Sequence, residues 1–320
     1  MDPRNPDAIS PYTRQPFDGL GALWRIGDGA LGGKASGLLD VRQRVLGPLP
    51  PKPYGDIAVS IPSAVVLATD VFDAFMAHNG LWDLAHSDAP DDAIVRAFAA
   101  AKLPPLIVGD LRALSASCHT PLAVRSSSLL EDDLSHPFAG VYGTKMIPNH
   151  QASPDQRYAR LVDAIKFVYA TTYATEARAY ARSVGRDPVD EKMAVVIQQI
   201  VGRRRGDRFY PTLSGVGRSV NVYPQRGAQP EDGSVSLALG LGKTIVDGGV
   251  CWSYTPTRPK RPMPFGGARE TMKHTQQRFW AVDMGPTPPH DPMVETEFMV
   301  HASLADADYD DTLRYIASTY

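Results

Sequence analysis

Hydrophobic and polar positions along the chain follow two different spacings. A largely apolar stretch at 193–201, interrupted by Gln198 and Gln199, predicts a strand that is buried on both faces. A shorter run at 122–124 predicts a strand that carries Arg125 at its end. Over 35–46 and 156–185, apolar residues recur three and four positions apart, which predicts helices with one buried face. The alternation of strand and helix patterns favours a mixed α/β fold.

Residues 61–75 combine both spacings in one segment, IPSAVVLATDVFDAF. The apolar first half predicts a strand. The second half predicts a helix with Thr69 or Asp70 as the N-cap, because either side chain can accept a hydrogen bond from the first turn. The buried face of this helix is predicted to contain Val71, Phe72 and Phe75.

Composition limits the class of protein. A chain of 320 residues, of which 43% are hydrophobic, can bury one large core or two linked cores. Its net charge of −2 gives no general attraction to nucleic acid. Its two cysteines, Cys118 and Cys251, form neither a disulfide framework nor a zinc spacing, and no apolar run is long enough to span a membrane. These properties predict a cytoplasmic protein without nucleic-acid or membrane partners.

Candidate chemistry is concentrated in one segment, which reads AVRSSSLLEDDLSHPFAGVYGT. The guanidinium of Arg125 can bind two phosphate oxygens at once, and Ser126 and Ser127 add hydroxyl and backbone N–H groups. A turn at Gly140 would let the backbone approach a ligand closely, and Thr144 adds another hydroxyl. An ordinary strand, polar loop and hairpin would use the same residue types, so no single residue in the segment decides between the two interpretations.

The whole segment resembles, position by position, the pattern AVRSSA-x-x-ED-x5-FAG-x3-T. This pattern belongs to the ATP-binding N-terminal domain shared by phosphoenolpyruvate synthase, pyruvate phosphate dikinase and rifampin phosphotransferase. Ser128 stands where the family often has alanine, and Val141 stands where the synthases usually have glutamine. The resemblance implies an ATP-grasp-type, two-lobed nucleotide-binding domain over residues 1–320, with approximate lobes 1–118 and 119–320.

The family resemblance implies a second phosphate ligand in a glycine turn near the N-terminus. Gly32, Gly33 and Lys34 match that turn, and Lys34 would be the phosphate lysine at the N-terminus of the predicted helix, where the helix dipole favours an anion. The turn is not a Walker A loop, because Asp28 and Ala35 occupy positions where that motif requires glycine and a hydroxyl residue. A glycine turn with a solvated lysine is the alternative interpretation.

Two more blocks match the family. In MAVVIQQIV, Gln198 aligns with a glutamine whose amide is implied to bind the nucleotide, although a buried amide can also bind neighbouring backbone groups. The segment SLALGLGKTIVDGG resembles the family's GLGE-x-VV-x-G, which implies that Gly240 and Gly242 lie near the triphosphate. Lys243 replaces the usual glutamate and reverses its charge, so the role of this position stays open.

In the family, an acidic residue on one strand and a glutamine on the next hold magnesium. The segment VETEF offers Glu295 and Glu297 as candidate ligands, and a solvated strand or loop face is the alternative. No glutamine follows them, because the last one in the sequence is Gln277. This gap predicts that the domain is incomplete at its C-terminus and forms the N-terminal part of a longer protein.

The resemblance implies phosphoryl transfer from ATP with Mg²⁺, in which Lys34 and Arg125 neutralise developing charge. In dikinases, a histidine on a separate domain accepts the phosphoryl group and carries it to pyruvate, so phosphohistidine and pyruvate domains are expected downstream. The isolated chain is expected not to complete turnover. Two alternatives remain: phosphorylation of another acceptor, as in rifampin phosphotransferase, and a nucleotide-binding module without catalysis. A homodimer is one expectation for the assembly.

Overall fold

A computed structural model describes residues 9–17, 21–50, 53–128, 141–185, 187, 191–224, 227–259, 267–286 and 290–315. The chain divides into two compact units. Unit 1 comprises Met1–Ile200 and Thr287–Phe298, and unit 2 comprises Val201–Pro286 and Met299–Tyr320. Within the described residues, no helix is both long and apolar enough to cross a membrane.

Six strands of the described residues form one sheet in unit 1. They are β1 (Ser10–Pro11), β2 (Leu23–Ile26), β3 (Ala64–Leu67), β4 (Leu122–Ser128), β5 (Thr144–Ile147) and β6 (Met193–Gln199). Their order across the sheet is β1-β2-β3-β6-β4-β5. The pairs β1–β2 and β2–β3 are parallel, and the pairs that involve β6 or β5 are antiparallel.

The central strands form where the sequence is most apolar. All four residues of β3 and the first six of β6 are buried, which confirms the prediction of a strand buried on both faces. β4 is longer than predicted, because Ser126, Ser127 and Ser128 continue the antiparallel pairing with β6. Since β4 and β6 share a sheet with β3, unit 1 continues to Ile200, whereas the predicted lobe boundary fell at residue 118.

The described α-helices of unit 1 are α1 (Gly32–Asp40), α2 (Thr69–Asn79), α3 (Trp82–His86), α4 (Asp91–Ala100), α5 (Pro105–Ser117), α6 (Pro154–Thr171) and α7 (Thr175–Ser183). The helix predicted over 35–46 is α1 followed by a π-helical segment, Val41–Leu46. The helix predicted over 156–185 is two helices, α6 and α7, which are separated by residues 172–174.

Alternate residues of β3 and β6 point to opposite faces of the sheet and enter two different cores. Val65 and Ile197 pack into a large core that includes residues of α2, α4, α5 and α6. Val66 and Val196 pack into a smaller core with Ala35 of α1. The sheet of unit 1 is therefore covered on both faces, and α1 lies on the side of the smaller core.

Unit 2 contains two antiparallel sheets. The described strands are β7 (Arg203–Arg205), β8 (Arg208–Tyr210), β9 (Leu213–Arg218), β10 (Ser234–Leu239), β11 (Trp252–Tyr254), β12 (Arg278–Asp283) and β13 (Met299–Ser303). The sheet orders are β11-β10-β9 and β13-β12-β8-β7. The described helices are α8 (Lys243–Val246), α9 (Ala268–Lys273) and α10 (Leu304–Tyr309), and short 3₁₀ segments occupy Pro230–Asp232 and Leu313–Tyr315.

A polar cluster fixes the end of α10 to β8 in unit 2. Arg208 donates two hydrogen bonds to the Asp310 carboxylate, at 2.8 and 2.9 Å, and the Tyr210 hydroxyl donates a third at 2.8 Å. Burial raises the pKa of Asp310, but these hydrogen bonds outweigh burial and bring that pKa below its ordinary value. Burial raises the pKa of Tyr210 to about 12. Asp310 is thus ionised and Tyr210 neutral near neutral pH, as the cluster requires.

Candidate functional site

The glycine turn predicted near the N-terminus lies directly against β4. α1 begins at Gly32, which confirms that Lys34 lies in the first turn of a helix. Gly32 has a φ of +74°, and a Cβ atom added there would lie 1.8 Å from the carbonyl oxygen of Ser127. Only glycine allows this backbone conformation together with such a close approach. The start of α1 is therefore held against the strand that carries Arg125.

Side chains of the serine run complete this contact. Ser127 Oγ donates a hydrogen bond to the Leu31 carbonyl at 2.8 Å and accepts one from the Ala35 amide at 3.1 Å. Lys34 Nζ donates to Ser126 Oγ at 3.1 Å. Both serines are fully buried, and their backbones belong to a paired strand. The structure brings Lys34, Ser126 and Ser127 together, with the hydroxyl of Ser127 committed to the first turn of α1.

Arg125 lies in the middle of β4, and not at its end as predicted, because the strand continues through Ser128. Arg125 Nη1 donates a hydrogen bond to Gln198 Oε1 at 3.3 Å. In the register of the sheet, Arg125 lies opposite Thr144 of β5, and Ala123 lies opposite Gln198 of β6. Arg125, Thr144 and Gln198 therefore project from the same face of the sheet.

This face is the one that packs against α1. Val196, two residues before Gln198 in β6, shares a core with Ala35 of α1. Residues two apart in a strand point to the same side, so Gln198 and Arg125 lie on the α1 side of the sheet. The two predicted cations, Lys34 and Arg125, thus come from a helix and a strand on one side of unit 1. A cationic pair of this kind suits a phosphate ligand.

The first turn of α2 has a role that the sequence did not reveal. Thr69 and Asp70 were predicted as alternative N-caps, but the N-cap is Ala68, and both side chains accept hydrogen bonds from the loop before α1. Thr69 Oγ1 accepts from the Ala30 amide at 3.0 Å, and the carboxylate of Asp70 accepts from the amides of residues 28 and 29 at 2.9 Å each. No local pattern indicates this, because the partners are about 40 residues apart.

The carboxylate of Glu297 is paired with Lys145 and His290 in the structure, and its role as a metal ligand stays a prediction. Its carboxylate lies 2.9 Å from Lys145 Nζ and 2.5 Å from His290 Nδ1, and the side chains of Glu297 and Lys145 are 3% and 1% exposed. Glu295 lies in a turn of the same segment and not on the predicted acidic strand. Among the residues that the structure describes, no group of three or more histidine, cysteine, aspartate or glutamate side chains could hold a metal ion.

The second glycine turn lies in unit 2, between β10 and α8. Gly240 has a φ of +76°, and a Cβ there would lie 2.7 Å from the Trp280 carbonyl oxygen, so glycine is required. Ser214 Oγ donates to the Gly240 carbonyl at 2.6 Å, and Gly242 directly precedes α8. Lys243 Nζ lies 3.1 Å from the carboxylate of Asp247, which balances the charge that replaces the family's glutamate.

Gly140, the remaining predicted ligand, lies outside the described residues. The roles of Gly140, Gly240 and Gly242 at the triphosphate stay predictions.

A comparison with protein families finds a match that covers most of the predicted site residues. The model of the pyruvate phosphate dikinase, AMP/ATP-binding domain family matches residues 29–287. The chain belongs to this family. A search of curated proteins finds no match to the chain. The matched residues include both glycine turns, Arg125 and Gln198, whereas Glu295 and Glu297 lie beyond them.

Family membership confirms the predicted fold class, a mixed α/β, ATP-grasp-like nucleotide-binding fold. It also makes the chain an ATP-binding domain of the phosphoenolpyruvate synthase and dikinase type, a family of phosphotransferase enzymes.

Proposed function

We propose that this domain binds the phosphates of ATP through Lys34 and Arg125 and provides a phosphoryl group to a histidine on a carrier domain, which passes it to pyruvate. The observation that carries the proposal is the pair of hydrogen bonds that Ser127 makes with the backbone of Leu31 and Ala35 at the start of α1. Ser127 is two residues after Arg125 in β4 and points to the same side of the sheet, so α1, which carries Lys34, and the side chain of Arg125 lie on one side of unit 1.

Each of the two cations has a distinct part in this proposal. The guanidinium of Arg125 presents a planar set of donors, and its bond to Gln198 orients that plane. The ammonium of Lys34 is a compact charge at a helix N-terminus, where the helix dipole adds further attraction for an anion. Both charges would neutralise negative charge that develops on the phosphate oxygens during transfer.

Magnesium is expected to accompany the triphosphate, since ATP-dependent phosphotransferases use it to bridge phosphate oxygens. Lys34 and Arg125 are proposed to contact the phosphate oxygens directly.

The binding proposal is tested by isothermal titration calorimetry with ATP, in the presence and absence of Mg²⁺. Lys34→Met and Arg125→Met remove the charge but keep an apolar stem. Each is expected to weaken ATP binding about 10-fold or more, the size of a lost charge-assisted hydrogen bond. The matched controls are Arg96→Met and Lys102→Met, which change two exposed cations of unit 1, one on α4 and one in the loop after it.

The controls are expected to bind ATP within about 2-fold of the parent. ATP binding that is unchanged in Lys34→Met and Arg125→Met would exclude both residues from the site. Tripolyphosphate provides a further check, because a site built on these two cations binds the phosphate chain without the nucleoside.

The acceptor is tested on the full-length protein with ATP labelled at the γ or the β phosphate. We propose a phosphohistidine, which gives acid-labile label on the protein. Label that passes to another small molecule would favour a rifampin phosphotransferase-like acceptor. The charge reversal at Lys243, balanced by Asp247, supports a second candidate, a nucleotide-binding module without catalysis, for which ATP binds and no label is transferred.

We also propose a cytoplasmic location, which agrees with the two free cysteines, and a homodimer, which light scattering would test.

A further inference from the structure

The loop that leads into the Lys34 turn is bound along its backbone by the first turn of α2. The amides of Asp28 and Gly29 donate to the two carboxylate oxygens of Asp70, each at 2.9 Å. The next amide, that of Ala30, donates to Thr69 Oγ1 at 3.0 Å. Three consecutive amides therefore have side-chain acceptors on one helical turn. Bonds to an ionised carboxylate are among the strongest of these contacts.

Two glycines make this contact possible. A Cβ atom at Gly27 would lie 2.4 Å from Asp70 Oδ1, and Gly27 has a φ of +92°. A Cβ atom at Gly29 would lie 2.5 Å from the backbone nitrogen of Asp70 and 2.7 Å from Thr69 Oγ1. The loop therefore approaches α2 as closely as a backbone can, which leaves it little freedom to shift.

Two further contacts restrain the same stretch of chain. The guanidinium of Arg25, on β2, contacts the Gly27 carbonyl and the Asp28 carboxylate. After the loop, Ser127 binds the backbone of Leu31. Lys34 follows within one helical turn, so its position depends on a segment that is bound on both sides.

We propose that Asp70 is a positioning residue, which acts through the loop 28–30 to set the place of Lys34 against β4. Asp70 does not itself contact the phosphates in this proposal. A fixed loop reduces the conformational entropy that ATP binding would otherwise have to overcome. The inference rests on the proposed function, because it assigns Asp70 a role in the ATP site that contains Lys34.

The contact itself is tested without ATP, by amide hydrogen exchange resolved to single residues. Asp70→Asn keeps the shape of the side chain but replaces one acceptor oxygen with a donor. It is expected to raise exchange at Asp28 or Gly29 at least 10-fold and to leave the amides in the middle of α2 unchanged. Equal exchange in parent and variant would overturn the proposal.

The effect on binding is tested with a double-mutant cycle. Asp70→Asn is expected to weaken ATP binding about 10-fold in the parent but less than 2-fold in a Lys34→Met background, because its effect passes through Lys34. An equal loss in both backgrounds would show a general structural effect and would overturn the proposal. The matched control is Asp73→Asn, one turn later on α2, which removes an ion pair with Lys192 and is expected to leave ATP binding unchanged.

Conservative variants provide a further readout. Thr69→Ser keeps the hydroxyl that binds the Ala30 amide and should retain both exchange protection and ATP affinity. Thr69→Val, which has nearly the same shape, should lose protection at Ala30. Failure of the parent chain to bind ATP would refute the proposed function and with it the role of Asp70 there, whereas the exchange experiment would still decide whether Asp70 holds the loop.

Discussion

Replacement of Gly32 by alanine should disrupt the start of α1 far more than the size of one methyl group suggests. Gly32 has a φ of +74°, a conformation that costs an alanine about 1–2 kcal/mol. The added Cβ would lie 1.8 Å from the Ser127 carbonyl oxygen, whereas such contacts essentially never fall below 3.0 Å. α1 and β4 must therefore move apart by more than 1 Å, as the difference between these distances requires.

That movement would break the two hydrogen bonds between Ser127 and the start of α1, at 2.8 and 3.1 Å. Each such bond contributes about 1 kcal/mol. Together with the backbone strain, Gly32→Ala should lower the free energy of unfolding by about 3–4 kcal/mol. Gly37→Ala, in the same helix, is the matched control. No atom lies within 4 Å of its added Cβ, so it should stabilise the protein by about 0.5–1 kcal/mol.

Urea unfolding measures the free energy of unfolding of both variants. The chain has four tryptophans, of which Trp24 and Trp82 lie in unit 1, so a Trp252→Phe, Trp280→Phe background makes the fluorescence report on unit 1. A Gly32→Ala variant within about 1 kcal/mol of the parent, at the same m value, would refute the reasoning. It would mean that α1 can leave β4 without loss, and then Lys34 would not be held near Arg125.

Other predictions concern the ion pairs and the second glycine turn. Lys145→Met should lower the free energy of unfolding by about 3–5 kcal/mol, because it leaves the buried Glu297 carboxylate without its ammonium partner. In urea unfolding, the double variant with Glu297→Gln should regain much of this free energy. The pKa of Asp310 is lower in the folded state, so ionised Asp310 should stabilise the fold fully above about pH 4. This stabilisation should be lost as the pH falls through the pKa of the folded state. Asp310→Asn should abolish this part of the pH dependence in acid titrations followed by circular dichroism. Gly240→Ala should destabilise unit 2 by more than 2 kcal/mol, as differential scanning calorimetry would show, since its Cβ would meet a backbone carbonyl.

The sequence predicted much of unit 1 correctly where a local pattern reports burial. The apolar run of β6 and the buried face of α2, which includes Phe72 and Phe75, were both confirmed. The ends of the helices and strands were predicted less accurately. β4 extends through polar serines because β6 pairs with them, and the long helical pattern at 156–185 breaks after Thr171. Polarity within a segment does not reveal which neighbour will pair with it.

The sequence by itself determined the family, the predicted phosphate residues Lys34 and Arg125, and the type of most central elements. These depend on residues close together along the chain, where periodicity and turn chemistry operate. Only the tertiary structure decided that Glu297 pairs with Lys145 and that Asp70 binds the loop before Lys34. The partners in such contacts come from distant parts of the chain, and a polar side chain takes whichever charge or amide folding brings within hydrogen-bond distance.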